Sequence, residues 1–357
     1  MLSNANSTNR IFELDFFKIV CCILVIVIHS YGEFLPHSMM GILDALTAVA
    51  VPGFMMVSGY LLFFTLEKKY DKIIKGPILR FCSIFIIWFL VYIYEAYMLN
   101  HSVDVGSLML NNSEGWHLWY IKIYIQILIC YPIIKCITNN EKVTNLFSVL
   151  WMIFIGLKYS LNFLPNIPQE YFKILQLPFF EYDGYIGGTT AGYHPAECLG
   201  IFVLGGMAIK LYFQKKKEVG LKMDLIALIV VLTSIYMIVL FQREFENLDL
   251  PVDMVRSPFH IYNVIFTLAF GFCCFRVSGR LLCLHELFEK ISNNCLGVYI
   301  IHPLVQRMIV SIIVKNEIDT NRIGVCAIIF VLTVIVSFFI VQILHKIVPQ
   351  KILKYVL

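Results

Sequence analysis

Charge is scarce in this chain. Only 15% of its 357 residues are Asp, Glu, Lys or Arg, against 59% hydrophobic residues. So little polarity cannot cover the surface of a soluble domain, and that class is excluded. Long polar linkers, low-complexity tracts and repeats of fixed period are missing too, so nothing marks off a separate soluble domain. The lysines sit in connections between apolar runs rather than on one basic face, which leaves nucleic-acid binding without support. None of the eleven cysteines has metal-type spacing, and no metal site is expected. Most, including Cys21, Cys22, Cys130, Cys273, Cys274 and Cys326, lie inside apolar runs and read as small packing residues. The first run lacks a basic leader and a small-residue cleavage site, so it reads as a retained span rather than a removable signal peptide.

What is present is a series of apolar runs, with a mean hydropathy of +0.78 over the chain. They lie at about residues 14–34, 42–64, 77–99, 118–137, 144–164, 193–213, 222–242, 258–278, 295–315 and 323–345. Each far exceeds the ~10 residues of a membrane strand. The expected fold is therefore all-α, a polytopic integral membrane protein of about ten transmembrane helices in one domain, residues 1–357. Loop charges set its orientation. Lys68, Lys69, Lys72 and Lys75 fall between spans two and three, Lys135 and Lys142 between four and five, and Lys210, Lys215, Lys216 and Lys217 between six and seven. Arg276, Arg280 and Lys290 lie between eight and nine, and the alternate connections are poor in basic residues. Both termini are expected to be cytoplasmic.

The first run, from Arg10 to Glu33, carries Asp15 and Lys18 at its start and His29 near its end. Asp or Lys at a helix centre costs roughly 2.5–3.5 kcal/mol on insertion scales, so such groups usually face protein or water. At about 3.6 residues per turn, Asp15, Lys18, Cys22, His29 and Glu33 fall along one stripe. The stripe lines a polar site, or Asp15 and Lys18 are headgroup anchors and His29 an interfacial histidine; this helix alone supports both.

Other polar groups interrupt the later runs. Span two reads VPGFMMVSGYLL, with Pro52 and Gly53 at mid-span and Ser58, Gly59 and Tyr60 toward its end; Gly53 and Gly59 are expected to serve close helix packing. Span four opens with an aromatic cluster from Trp116 to Tyr120 in which His117 is the member an interfacial belt does not require. Span nine, ISNNCLGVYIIHP, places His302 beside Tyr299. Glu95 and Glu197 are further intramembrane carboxyl groups. The long connection at about 165–192 is expected as an outer loop or rim, and Asn111-Asn112-Ser113 fits a glycosylation sequon that chance also produces.

Taken in order, these motifs resemble the acyltransferase 3 family, ten-span membrane enzymes that O-acylate surface polysaccharides and related acceptors. They are D-x-x-K-(x10)-H from Asp15 to His29, VPGFMMVSGYLL, a basic loop running into Pro77, WHLWY, the Gly-rich ECLGIFVLGGMAI and SNNCLGVYIIHP. The resemblance covers essentially the whole chain. It implies transfer of an acyl group, acetyl above all, from acyl-coenzyme A to a hydroxyl of a glycan or lipid-linked sugar at the bacterial plasma membrane. Acyl-coenzyme A would be a co-substrate, with no tightly bound cofactor, and the other partners are the acceptor and membrane lipids. His29 matches the family's catalytic histidine; acyl transfer also needs a group to orient or balance its ring, Asp15 or Glu33, and an oxyanion stabiliser, for which Lys18, Tyr60, Tyr120, Tyr299 and His302 are the candidates. Lys18 stands where arginine is usual, and Lys72-x-x-Lys75 replaces an arginine pair; with Arg80 these are the expected contacts to the donor. Lysine neutralises phosphate as a point charge but offers no planar fork. Ser58, Tyr60, Trp119, Tyr120 and Tyr299 are the expected acceptor contacts.

Two other functions compete. A transporter or glycan exporter would show paired halves with broken helices, and no internal repeat is evident. A scaffold without chemistry leaves Asp15, Lys18 and His29 unexplained.

Overall fold

The computed structural model describes residues 10–32, 34–35, 40–65, 70–100, 116–161, 195–247, 260–320 and 322–357. Glu33, the 165–192 connection, the Asn111 sequon, Lys68 and Lys69 lie outside the described residues. Among the described residues the regular structure is helical throughout. In chain order the helices are α1 Phe12–Gly32, α2 Ile42–Thr47, α3 Ala50–Gly59, α4 Tyr70–Ile73, α5 Leu79–Asn100, α6 Trp119–Ile129 and α7 Tyr131–Thr138. They continue with α8 Glu141–Leu161, α9 Pro195–Lys215, α10 Leu221–Asn247, α11 Ile261–Ser278, α12 His285–Lys315, α13 Ile323–Ile347 and α14 Gln350–Leu353.

Among the described residues, seven segments are long and apolar enough to cross a membrane: Ile42–Phe64, Tyr70–Met98, Glu197–Lys215, Leu221–Glu244, Ile261–Ser278, Leu282–Lys315 and Ile323–Ile347. The pair α6 and α7, bent by 70°, makes eight if it counts as one span. Helices α1 and α8, 21 residues each, coincide with the first and fifth apolar runs but stand outside that set. Both carry charge near their starts, Glu13, Asp15 and Lys18 in α1 and Glu141 and Lys142 in α8.

Prolines mark where the helices break. Proline has no N–H to give the carbonyl four residues back, and its ring crowds that carbonyl. Pro52 accounts for the interruption at Ala48 and Val49 between α2 and α3, and Pro132 for the bend at Cys130 between α6 and α7. Wider π turns follow α3 at Tyr60–Phe64 and α4 at Ile74–Ile78, the latter containing Pro77.

The residues cluster into two compact units. The first comprises Met1–Val57, Tyr212–Pro258 and Tyr262–Phe339, and the second Ser58–Leu211, Phe259–Ile261 and Ile340–Leu357. In the first, α1 packs along α12 and against α2, and α2 also packs on α10. Phe17, Ile26, Met55 and Phe266 are among its fully buried side chains. Gly53 sits directly over Cys21 and Phe17, so a Cβ there would lie 2.4 Å from the Cys21 sulfur. Within the second unit, Gly59 meets the backbone of Phe202 and Gly206 meets that of Gly59, a small-residue crossing of the kind lipid-embedded helices need to approach closely. The expected packing roles of Gly53 and Gly59 are borne out. Ile23, about 100° round α1 from Cys22 of the polar stripe, is exposed as a lipid-facing residue should be.

A Cβ on Gly59 would lie 1.9 Å from the Phe202 carbonyl oxygen, which is backbone and has little room to yield. Gly59→Ala is expected to cost at least the roughly 1–3 kcal/mol typical of overpacking. Gly76→Ala, with nothing within 4 Å of the new Cβ, is expected to leave stability unchanged or raised. Thermal unfolding of the two variants in detergent distinguishes them, and equal melting temperatures would contradict the crossing.

Candidate active site

Helices α1 and α12 run parallel, because their contacts rise together along both chains. Asp15 meets Ser292, Cys22 meets the carbonyl of Cys295, and His29 meets His302 and Gln306. The three α1 residues are spaced by seven, and Ser292, Cys295, His302 and Gln306 hold the a and d positions of a heptad. That period keeps one face of each helix turned to its partner over several turns. The seam is small and sulfur-lined in the middle and polar at both ends.

At the N-terminal end, Asp15 is buried and its carboxylate collects three donors. Lys18 Nζ lies 2.9 Å from Oδ1, Ser292 Oγ donates to Oδ1 at 2.7 Å, and the Arg10 guanidinium pairs with Oδ2. Arg10 continues across to α12, donating to Asn293 Oδ1 at 2.8 Å and to the Glu289 carbonyl at 3.3 Å. Glu13 is paired with Lys216. A carboxylate removed from water needs several charged or polar donors to remain ionised.

At the other end of the seam, the imidazoles of His29 and His302 lie 5.2 Å apart with their planes at 30°. Both residues are buried, His302 at 0% exposure. The Tyr299 ring is 6.0 Å from that of His302, and Phe54 packs edge-on to Tyr299 at 6.4 Å. Nδ1 of His302 is 2.7 Å from the Tyr299 carbonyl oxygen. A carbonyl only accepts, so this geometry assigns the proton to Nδ1 and, in the neutral ring, the lone pair to Nε2. Gln306 donates from Nε2 to the His29 carbonyl at 2.8 Å. That carbonyl belongs to the last turn of α1.

The other expected site residues lie in the second unit. Ser58 Oγ and Tyr120 Oη are hydrogen-bonded at 3.0 Å, with Tyr120 stacked on Tyr124 and edge-on to Trp119. Tyr60 is buried at the start of its π turn. Lys72, on α4, and Lys75, in the next π turn, are exposed, whereas Arg80 donates to the Leu357 carbonyl at 2.8 Å. His117 is buried against Tyr92, Glu197 is buried, and Glu95 is half-buried. The structure thus sets Asp15, Lys18, His29, Tyr299 and His302 along one helix pair, but the expected support of His29 by Asp15 is not formed: Asp15 is paired with Arg10, Lys18 and Ser292 at the opposite end of the seam, about 21 Å along α1 at ~1.5 Å per residue. Arg10, Ser292 and Gln306 join them without having been expected from the sequence. Continuing the seven-residue step from Tyr299 in both directions reaches Ser292 and Gln306; for Arg10 the only signal is a cation five residues before a buried carboxylate.

A family model described as an acyltransferase domain matches residues 11–342, nearly the whole chain. The chain belongs to the acyltransferase 3 family. No curated protein and no solved structure matches it. It is an acyltransferase of the class that transfers groups other than aminoacyl groups, carried on several apolar helices as a multi-pass membrane protein. Among the described residues of this acyltransferase, no three His, Cys, Asp or Glu side chains group so as to hold a metal ion.

The Asp15 cluster makes a graded prediction. Asp15→Asn removes the charge that Arg10 and Lys18 share and is expected to cost roughly 1.5–3 kcal/mol, the range for hydrogen bonds to charged groups. Ser292→Ala leaves both cations in place and should cost only about 1 kcal/mol. The order of melting temperatures, wild type above Ser292→Ala above Asp15→Asn, checks the assignment, and the reverse order of the two variants contradicts it.

Proposed function

We propose that the enzyme transfers an acyl group, acetyl above all, from acyl-coenzyme A to a hydroxyl of a cell-surface glycan or lipid-linked sugar, with His29 as general base. The observation that carries this reading is the buried His29–His302 pair beside Tyr299. An acceptor hydroxyl has too high a pKa to attack a thioester unaided, and a neutral imidazole in a protected site can take its proton during attack. The oxygen bonds to the thioester carbonyl carbon, the C–S bond breaks, and the thiolate of coenzyme A leaves and recovers a proton. In this reading His302 receives or shares the proton beside His29, and Tyr299 is the proposed donor to the developing oxyanion. Direct transfer is preferred over an acyl-enzyme, since no serine stands in a nucleophile-elbow context.

Lys72, Lys75, Arg80 and Lys18 are proposed to supply positive charge to the donor's phosphates. Ser58, Tyr60, Trp119 and Tyr120 form the aromatic and hydroxyl surface proposed for the acceptor, and Asp15 holds Lys18 in place. The full arrangement is ten spans with both termini cytoplasmic, in the plasma membrane of a bacterium, with acyl-coenzyme A as co-substrate and no tightly bound cofactor.

Purified protein in nanodiscs, supplied with acetyl-coenzyme A and candidate acceptors, tests the reading. His29→Ala is expected to lower turnover by about 10²–10⁴-fold, the contribution of a positioned acid–base group. Lys72→Ala/Lys75→Ala is expected to raise the donor KM with a smaller change in kcat. Folded protein that binds no acyl-coenzyme A would remove the acyltransfer assignment for this donor class.

A further inference from the structure

Helix α12 runs unbroken from His285 to Lys315 with Pro303 inside it. Proline in a helix interior removes the hydrogen bond to the carbonyl four residues earlier, here that of Tyr299, and its ring crowds that oxygen. Within a membrane such a carbonyl must find another donor, because no water replaces the lost bond. The donor is the side chain immediately before the proline: His302 Nδ1 lies 2.7 Å from the Tyr299 oxygen and 3.3 Å from that of Val298. The Tyr299 bond is therefore the main tie, and it fixes both the rotation of the ring and the nitrogen that bears its proton.

From this we infer that Pro303 is a positioning residue for the histidine pair: by withholding a backbone N–H from Tyr299, it reserves that carbonyl for His302 Nδ1 and leaves Nε2 of His302 as the proton-accepting nitrogen. Which ring nitrogen of a functional histidine carries the proton is generally set in this way, by the hydrogen bond that the other nitrogen or its partner makes. The partner ring, that of His29, is 5.2 Å away, and its backbone is fixed independently by Gln306. His302 is thus tied through its ring to a proline-released acceptor, and His29 through its own main-chain carbonyl near the end of α1. The inference deepens the acyl-transfer reading and rests on it for its effect on rate, but its structural half stands without any substrate.

Pro303→Ala returns an N–H to position 303 in a residue that favours helix. If the proline served only the shape of α12, the variant would lose stability or leave the histidines unchanged. The expected result is different: a melting temperature equal to or above that of wild type, and kcat lowered about ten- to hundred-fold, the scale of small misplacements of reacting groups. The donor KM should stay unchanged. Pro303→Gly supplies the same N–H with a looser helix and should reproduce the kinetic effect if the alanine variant does not fold.

The readout independent of activity is the tautomer. Nitrogen-15 NMR of histidine-labelled protein in lipid, assigned by difference from His302→Gln, is expected to show Nδ1–H for His302 in wild type. A mixed or Nε2–H population is expected in Pro303→Ala. Wild-type protein with Nε2–H, or a Pro303→Ala spectrum identical to wild type, overturns the inference. A tautomer change in Pro303→Ala accompanied by no acyl transfer in wild type keeps the positioning role and rejects the proposed reaction instead.

Discussion

A main-chain carbonyl without a donor is costly inside a bilayer, since lipid offers nothing in its place. Helix ends and prolines create such carbonyls by construction, and this protein answers them with side chains. Gln306 serves the carbonyl of His29 near the end of α1, and His302 serves the one that Pro303 abandons. Lys135 Nζ donates to the Phe63 carbonyl in the π turn after α3 at 2.7 Å, and Tyr70 Oη to that of Ile129 at the end of α6 at 2.9 Å. Trp88 and Arg80, both on α5, donate to the carbonyls of Val356 and Leu357. Many polar side chains that look out of place in an apolar sequence are explained by this requirement before any chemistry is invoked.

The same requirement explains why the histidine pair is so sharply positioned. A hydrogen bond to a main-chain carbonyl inherits the rigidity of the helix that carries it. The seam between α1 and α12 adds the axial register, because its repeat of seven residues allows only one alignment to bring Asp15 to Ser292 and His29 to His302 together. Sliding one helix by a turn would leave the Asp15 carboxylate without Ser292 and the His29 carbonyl without Gln306. Each of those losses costs about 1–3 kcal/mol for a buried group. Stability and site geometry are therefore secured by the same bonds.

How much of this the sequence discloses depends on the range of the interaction. The stripe of Asp15, Cys22 and His29 follows from helix geometry alone, and the small-residue packing at Gly53 and Gly59 follows from residue size. The family itself is legible from motif order. The partnership of α1 with α12 is not legible, because its residues are separated by more than 270 positions and nothing in either segment names the other. Arg10 is hidden for a different reason: it precedes the apolar run and resembles any interfacial cation until its guanidinium is seen to reach Asp15, Asn293 and Glu289. The break between α2 and α3 could be placed only after the fact, although Pro52 announces that one carbonyl nearby must be released.

Lysine at positions where the family usually has arginine carries different weight at different places. Lys18 cannot form a planar bidentate contact, yet Asp15 does not go without a guanidinium, because Arg10 brings one from just ahead of the helix. The carboxylate keeps one point charge and one fork, and the fork extends its remaining N–H groups to α12. Replacement at position 18 is thus absorbed by the cluster, and the departure argues little about lost activity. Lys72 and Lys75 stand in another situation: they are exposed, and the nearest guanidinium in sequence, that of Arg80, is engaged with the Leu357 carbonyl. There the exchange removes directional hydrogen bonding and leaves long-range attraction, which screening by salt weakens. For the proposed donor, whatever directional contact to its phosphates an arginine pair would provide must come from elsewhere in the proposed site, or be weaker.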